Sequence, residues 1–272
     1  MLNFLPEKLN RELRKMNEER LYELRIRAGR AVSVNYNGKY MRLPVTLSKE
    51  DISDVILRAG EFSVYSVSEE MKELYVTANS GQRIGIAGTV VYDKDKPIGV
   101  RNVTSLCIRI PHEIDDCGEK IFEVCERDGL KNCIILSPPG LGKTTVLRNL
   151  SKRISKRYPQ VNLLIADERG EISAFDCGEN ADVVKFGKKK EIFSYAIRAL
   201  RPDVIVTDEL QESDFEVVKN AIQAGIVVLA SAHYGQAVAD FPHPIFQRYV
   251  RLGSTIGQIE GVYDENLKPL EG

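Results

Sequence analysis

The 272-residue chain has no long apolar run, almost no net charge and few cysteines, and each scarcity closes a class of function. Ile226 to Ala232 is among its longest apolar stretches, and Ser231 breaks it. A bilayer-spanning helix needs about 20 consecutive apolar residues, so nothing reads as a transmembrane helix. The formal net charge is −1 although 28% of residues are charged, so no excess of either sign demands nucleic acid or an anionic lipid surface. The five cysteines (Cys107, Cys117, Cys125, Cys133, Cys177) are odd in number and scattered, with no Cys-x-x-Cys pair. Together they predict reduced thiols, no zinc and a cytoplasmic location. The amino terminus, Met1 to Lys8, turns amphipathic and charged too soon for a signal peptide. Internal repeats and low-complexity tracts are lacking as well. The one notable charge run, Lys188-Lys189-Lys190, reads as a solvated loop.

What is present is a loop built for phosphate. Cys133 to Leu136 reads as a buried strand, the Pro/Gly stretch after it as a loop, and Thr145 to Ile154 as a helix. The loop runs Ser137, Pro138, Pro139, Gly140, Leu141, Gly142, Lys143, Thr144, Thr145, with Ser137 where the usual pattern begins with Gly. Strand, glycine loop and helix in that order aim the backbone N–H groups of Gly140 to Thr144 at one place, on the positive end of a helix dipole. Lys143 adds a point charge for the outer phosphates of ATP and is expected at a solvent-accessible loop. The Thr144 hydroxyl is placed to ligate Mg²⁺.

A second segment fits the first. Asp203 to Thr207 is a β-branched run that ends in Asp208 and Glu209, 65 residues beyond Lys143. Such a run reads as a buried parallel strand, whose carboxyl end is where a doubly wound sheet holds ligands. Asp208 would hold the Mg²⁺ shell and Glu209 would polarise the attacking water. Leu163 to Ala166 is another strand ending in acids, Asp167 and Glu168, before Arg169, and Glu168 is a catalytic candidate that would help Glu209 orient the water. The strand from Ile226 ends near His233, a candidate sensor of the γ-phosphate. His112 and His243 lie beside prolines, and no role is assigned to them.

Two halves separate near Pro111 to Gly118, which predicts an α+β domain over 1–112 and an α/β domain over 113–272. The first half has a helical pattern at Leu5, Leu9, Leu13 and Met16, with Pro6 in its first turn. Strands read at Leu21 to Arg27, Ala31 to Tyr36 and Lys39 to Leu43, the last two joined by the hairpin signal Asn37-Gly38. Ser48 and Asp51 form a capping box before a helix through Ile52, Val55, Ile56 and Ala59, stopped by Gly60. Arg83 to Tyr92 and Ser105 to Ile110 read as further strands. In the second half, strands at 133–136, 161–166, 203–207 and 226–231 alternate with helices near 143–157, 191–200 and 213–224. That alternation predicts a parallel sheet with helices on both faces.

The phosphate loop, Asp167-Glu168-Arg169, Asp208-Glu209 and Ala232-His233 resemble the Walker A, Asp box, Walker B and His box of secretion and pilus-retraction ATPases. The closer resemblance is to the stage III sporulation protein AA family. It is carried in the first half by Glu23-Leu24-Arg25-Ile26-Arg27, Gly81 to Gly88 and Ser105 to Ile110. The resemblance implies a RecA-like P-loop ATPase domain behind a smaller α+β domain, with ATP and Mg²⁺ as ligands. It also implies a homohexameric ring at the cytoplasmic face of a membrane complex linking mother cell and forespore, held there through partner proteins. Arg83 and Arg109 are candidates for an arginine supplied across the subunit interface, with Arg169 as a rival within the subunit. A nucleic-acid partner is not expected. The alternatives are a general pilus or secretion motor and a nucleotide-gated scaffold with negligible turnover. The chain departs from the family pattern at Phe175-Asp176-Cys177-Gly178, where a Pro-Gln loop is expected, and in lacking Gly after Leu210.

Overall fold

A computed structural model describes residues 2–60, 74–78, 82–110, 112, 117–235 and 237–270. The chain divides into two compact units, residues 1–112 and 113–272. Gly81 and residues 111 and 113–116 of the expected linker lie outside the described residues.

Among the described residues, the first unit is an antiparallel sheet with two α-helices, α1 (Glu7–Leu13) and α2 (Lys49–Ala59). Its strands are β1 (Leu21–Arg27), β2 (Ala31–Tyr36), β3 (Lys39–Thr46), β4 (Tyr75–Thr77), β5 (Arg83–Asp93) and β6 (Lys96–Arg109), in the order β3-β2-β1-β6-β5-β4. Alternation decides which face is buried: Leu24, Ile26, Val32, Val34, Ile84, Ile86, Leu106 and Ile108 join Leu9 and Leu13 of α1 and Ile52, Val55 and Ile56 of α2 in one core. Asn37 and Gly38 take positive φ (51° and 79°), which is what a two-residue hairpin loop between right-twisted strands requires. Both bonds of the capping box at Ser48 and Asp51 form.

The second unit carries a seven-stranded sheet. Its strands are β7 (Cys133–Ser137), β8 (Leu163–Asp167), β9 (Ala181–Lys185), β10 (Val204–Leu210), β11 (Val227–His233), β12 (Arg248–Leu252) and β13 (Ile259–Tyr263). The order is β13-β12-β7-β11-β10-β8-β9, parallel throughout except for β13 at the edge. Successive residues of the central strands go to opposite cores. Cys133, Ile135, Leu163, Ile165, Val204 and Val206 pack with α3 (Glu119–Glu126) and α4 (Lys143–Arg157). Ile134, Leu136, Leu164, Ile205, Val228 and Ala230 pack with α5 (Lys189–Tyr195) and α6 (Phe215–Gln223). The unit is therefore α/β, with helices on both faces of a largely parallel sheet, as the sequence predicts.

The structure adds elements that local pattern does not announce. β9, β12 and β13 are short and interrupted by charged residues, and they are strands because they extend a sheet already made. The helix expected over 191–200 starts at Lys189 and passes into a π-helical turn at Ala196–Leu200. Lys189 corrects the solvated-loop reading of the lysine run: its side chain is 4% exposed and its Nζ donates to Glu168 Oε2 at 2.7 Å. Sequence hides this, because only one of three consecutive lysines turns into the second unit. Among the described residues no helix is long and apolar enough to cross a membrane.

Candidate active site

The strand order fixes what can meet. β11 stands between β7, which feeds the glycine loop, and β10, which ends in the acidic pair. A residue at the carboxyl end of β11 therefore reaches both neighbours, and that residue is His233, in register with Ser137.

The loop from Ser137 to Gly142 closes on α4. Ser137 is fully buried and is not among the residues with positive φ, so a serine is accommodated where the usual pattern has glycine. Gly140 (φ 82°) and Gly142 (φ 77°) take the left-handed conformation. At Gly142 a Cβ would also approach Ile256 Cγ2 to 2.7 Å, so this position needs glycine twice over. Gly142 caps α4 with no side-chain bond, which leaves the first N–H groups of the helix directed at the loop. Pro138, Pro139 and Gly140 are exposed, and Leu141, Thr144 and Thr145 are half-buried.

Lys143 is buried, at 5% exposure, which corrects its expected place in a solvent-accessible loop. Its Nζ donates to Ser137 O (3.1 Å), Ser137 Oγ (3.3 Å) and Pro138 O (3.0 Å), and lies 2.9 Å from His233 Nδ1. Burial lowers its pKa from the usual lysine value, and the nearby Glu209 carboxylate opposes that shift. His233 Nε2 is 3.3 Å from Glu209 Oε1. An acceptor at Nδ1 and a donor at Nε2 describe one neutral tautomer, so the imidazole bridges the P-loop cation and the acidic strand. Glu209 also forms an ion pair with Arg169.

Glu209 is where the sheet breaks register. β10 pairs regularly with β11 as far as Thr207 and resumes at Leu210, opposite Ala232. Within that bulge Glu209 has φ 42°, and its N–H donates to Ser231 Oγ at 3.2 Å. A left-handed non-glycine residue costs about 1–2 kcal/mol, and such strain gathers at functional positions. Asp208 beside it is 1% exposed, and neither carboxylate oxygen has a hydrogen-bond partner. Burial, reinforced by Asp167, pushes its pKa up to about 7.

A lone buried carboxylate without partners is costly unless a cation or proton comes to it. Asp208 therefore fits Mg²⁺, which takes one or two carboxylates and completes its shell with phosphate oxygens and water. The same observation makes a stability prediction. The unfolded carboxyl ionises near its ordinary value of 3.8, whereas the folded one holds its proton to about 7. The folded state binds more protons between those limits, so stability falls as pH rises through that window and stays reduced above it. Asp208→Asn is expected to raise the melting temperature of the nucleotide-free protein at pH 8, by the equivalent of up to a few kcal/mol, with the gain vanishing near pH 4. Thermal melts of both proteins across pH check this, and a variant that melts lower at pH 8 contradicts it.

The other residues named from sequence are distributed differently. Asp167 is fully buried and accepts from Glu171 N, Ser173 N and Ser173 Oγ at 3.0, 2.8 and 2.6 Å, which makes it the anchor of a turn. Glu168 is taken up by Lys189 rather than by the catalytic water site expected of it. Arg83 lies on β5 in the first unit, its guanidinium 3.8 Å from the Tyr75 ring centroid, and Arg109 is exposed on β6 opposite Glu23. The segment that departs from the family pattern is fixed by the buried Arg148, which donates to Ile172 O at 2.7 Å and lies over the Phe175 ring. Lys189 and Ser231 are the neighbours that sequence reasoning missed. Neither has a local signal, since both contacts depend on the order of the strands.

The parallel sheet, the strand–glycine loop–helix unit and the acidic strand one position removed define a P-loop protein with the fold of the secretion ATPases. Its structure matches the ATPase DotB of Legionella pneumophila with a TM-score of 0.61 at 13% identity, covering 86% of this chain and 67% of that one. It matches the pilus retraction motor PilT, solved with bound ADP, with a TM-score of 0.58 at 16% identity, covering 93% and 78%. At such identities the likeness concerns the fold alone. The family model described as sporulation stage III, protein AA matches residues 2–270. Stage III sporulation protein AA of Bacillus subtilis (strain 168) is 30% identical over 96% of this chain and 94% of its own length. The chain belongs to the stage III sporulation protein AA family.

Proposed function

We propose that this protein binds ATP and hydrolyses it with Mg²⁺, as the cytoplasmic ATPase that energises or assembles a secretion-like channel between mother cell and forespore. The observation that carries the chemistry is the partnerless, buried carboxylate of Asp208, in the same bulge as Glu209 and on the strand next to His233. Family membership and the secretion-ATPase fold support the cellular role.

In this reading the N–H groups of Gly140 to Thr144, in the loop that Ser137, Pro138, Pro139 and Leu141 complete before Thr145, cradle the phosphates. Lys143 exchanges its Ser137 and Pro138 acceptors for phosphate oxygens. Thr144 and Asp208 would hold Mg²⁺, which when bound neutralises charge on the phosphates. Glu209 orients a water for attack on the γ-phosphorus and takes its proton, as the bond to the bridging oxygen breaks and ADP leaves. Glu168 contributes indirectly, through its ion pair with Lys189. His233 reports γ-phosphate because it shares Lys143: a phosphate that draws the ammonium away frees Nδ1.

The protein acts as a homo-oligomeric ring, six subunits by family resemblance, docked peripherally on a membrane-complex protein. Arg83 or Arg109 of one subunit is proposed to complete the site of the next, an effect worth roughly 10³–10⁵ in rate where it operates. ATPase activity is then expected to rise faster than linearly with protein concentration, and mass in solution with a nonhydrolysable ATP analogue to correspond to a ring. A monomer of high, concentration-independent specific activity contradicts the trans arginine. The scaffold reading is favoured by one observation, the occupation of Glu209 by Arg169 and His233. Steady-state hydrolysis with and without a membrane-complex partner separates it from a working ATPase.

A further inference from the structure

We infer that Arg169 is a clamp on Glu209, withholding the carboxylate until phosphate enters the loop. The inference rests on the ATPase reading above and adds a device to it. Arg169 follows directly on Asp167 and Glu168, and both of those are pinned. Asp167 is held by the backbone of Glu171 and by Ser173, and Glu168 by the buried Lys189. Gly170 follows in the left-handed conformation, φ 69°. The guanidinium is thus presented from a fixed turn at the end of β8, across the sheet from a glutamate fixed in the β10 bulge by Ser231.

Both oxygens of this carboxylate are engaged by other side chains. Arg169 occupies Glu209 Oε2, and His233 Nε2 stands 3.3 Å from Oε1. A water that is to give Glu209 its proton must then share an oxygen with a donor already there or displace it. The pair is also built to exchange. The Arg169 side chain is 38% exposed and the Glu209 side chain 21%, so their attraction is screened and small. A phosphate offers a guanidinium a stronger, bidentate acceptor than one carboxylate oxygen. At the other end of the contact chain, the same anion competes with His233 for Lys143. Phosphate therefore draws on the two cations that terminate the Lys143, His233, Glu209, Arg169 series, and Glu209 is released between them. Arg169 acts through Glu209 until phosphate enters, and pairs with the phosphate once it has.

The test compares steady-state hydrolysis of MgATP by the full chain with Arg169→Gln, Arg169→Lys and the double variant Arg169→Gln with Glu209→Gln. An ion pair of this exposure contributes up to about 1 kcal/mol, which is roughly a fivefold change in rate. Arg169→Gln is expected to raise kcat by up to that factor, while KM for ATP rises as the guanidinium–phosphate pair is lost. Arg169→Lys, which keeps a cation in reach, should fall back toward the parent. The double variant should be as slow as Glu209→Gln alone, since there is then no base to release. Loss of a structural contact alone would lower kcat in both single variants, and Lys would not restore it. An Arg169→Gln protein with kcat equal to the parent's, or reduced like that of Glu209→Gln, overturns the clamp, the second outcome making Arg169 a catalytic finger within the subunit. Absence of hydrolysis from the parent at every concentration and from all variants removes the ATPase reading itself, and the clamp with it.

Discussion

Lys143→Ala is expected to abolish ATP binding and hydrolysis together. The ammonium is the one side-chain cation of the glycine loop, and it enters that loop from the first residue of α4. In the structure it is satisfied by Ser137 O, Ser137 Oγ, Pro138 O and His233 Nδ1, all of them neutral acceptors. Phosphate oxygens carry charge and make stronger bonds, about 1.5–3 kcal/mol each. Two such bonds amount to roughly 10²–10⁴ in affinity. The fold should survive. Ser137 O keeps Tyr234 N as a donor at 3.2 Å, and the substitution removes a buried charge along with its bonds. Calorimetric titration with MgATP and a thermal melt of the same sample check both halves of the expectation. Parent-like affinity in a well-folded Lys143→Ala protein contradicts the phosphate-loop reading.

Glu209→Gln is expected to separate binding from chemistry. The amide keeps the size of the side chain but cannot take a proton from water. Loss of a general base costs on the order of 10²–10⁴ in rate. Lys143, Thr144 and Asp208 are untouched, so MgATP should bind as in the parent and remain intact on the protein. The substitution also deletes the ion pair with Arg169, so the retained nucleotide is held without that competitor for the guanidinium. Rapid-filtration binding and single-turnover hydrolysis distinguish the cases. Equal loss of affinity and rate would make Glu209 a structural element of the β10 bulge.

The parts of this protein legible in sequence are those that local chemistry decides. A hairpin follows from Asn37-Gly38, a helix start from Ser48 and Asp51, and a strand, loop and helix from the order of apolar, glycine and charged residues around Lys143. Lys143, Asp208, Glu209 and His233 can be named as a set because each closes or follows a buried strand. Their geometry cannot be read, because it depends on β11 lying between β7 and β10, which no spacing encodes. The contact of Lys143 with His233 follows from that order, and the grip of Arg169 on Glu209 from β8 pairing with β10. Asp167 shows the converse: an acid at a strand end beside the site is spent on turning the chain. β9, β12 and β13 escape notice for a related reason, since their own residues only extend a sheet whose centre is set elsewhere.

The most direct test of the account follows ATP labelled at the γ-phosphate, with Mg²⁺, on the full chain and on Glu209→Gln at the same protein concentrations. The account predicts that the parent releases labelled phosphate, more steeply than in proportion to its concentration, while Glu209→Gln retains labelled ATP and releases almost none. Equal phosphate release from both proteins, or no retained nucleotide on either, would contradict it.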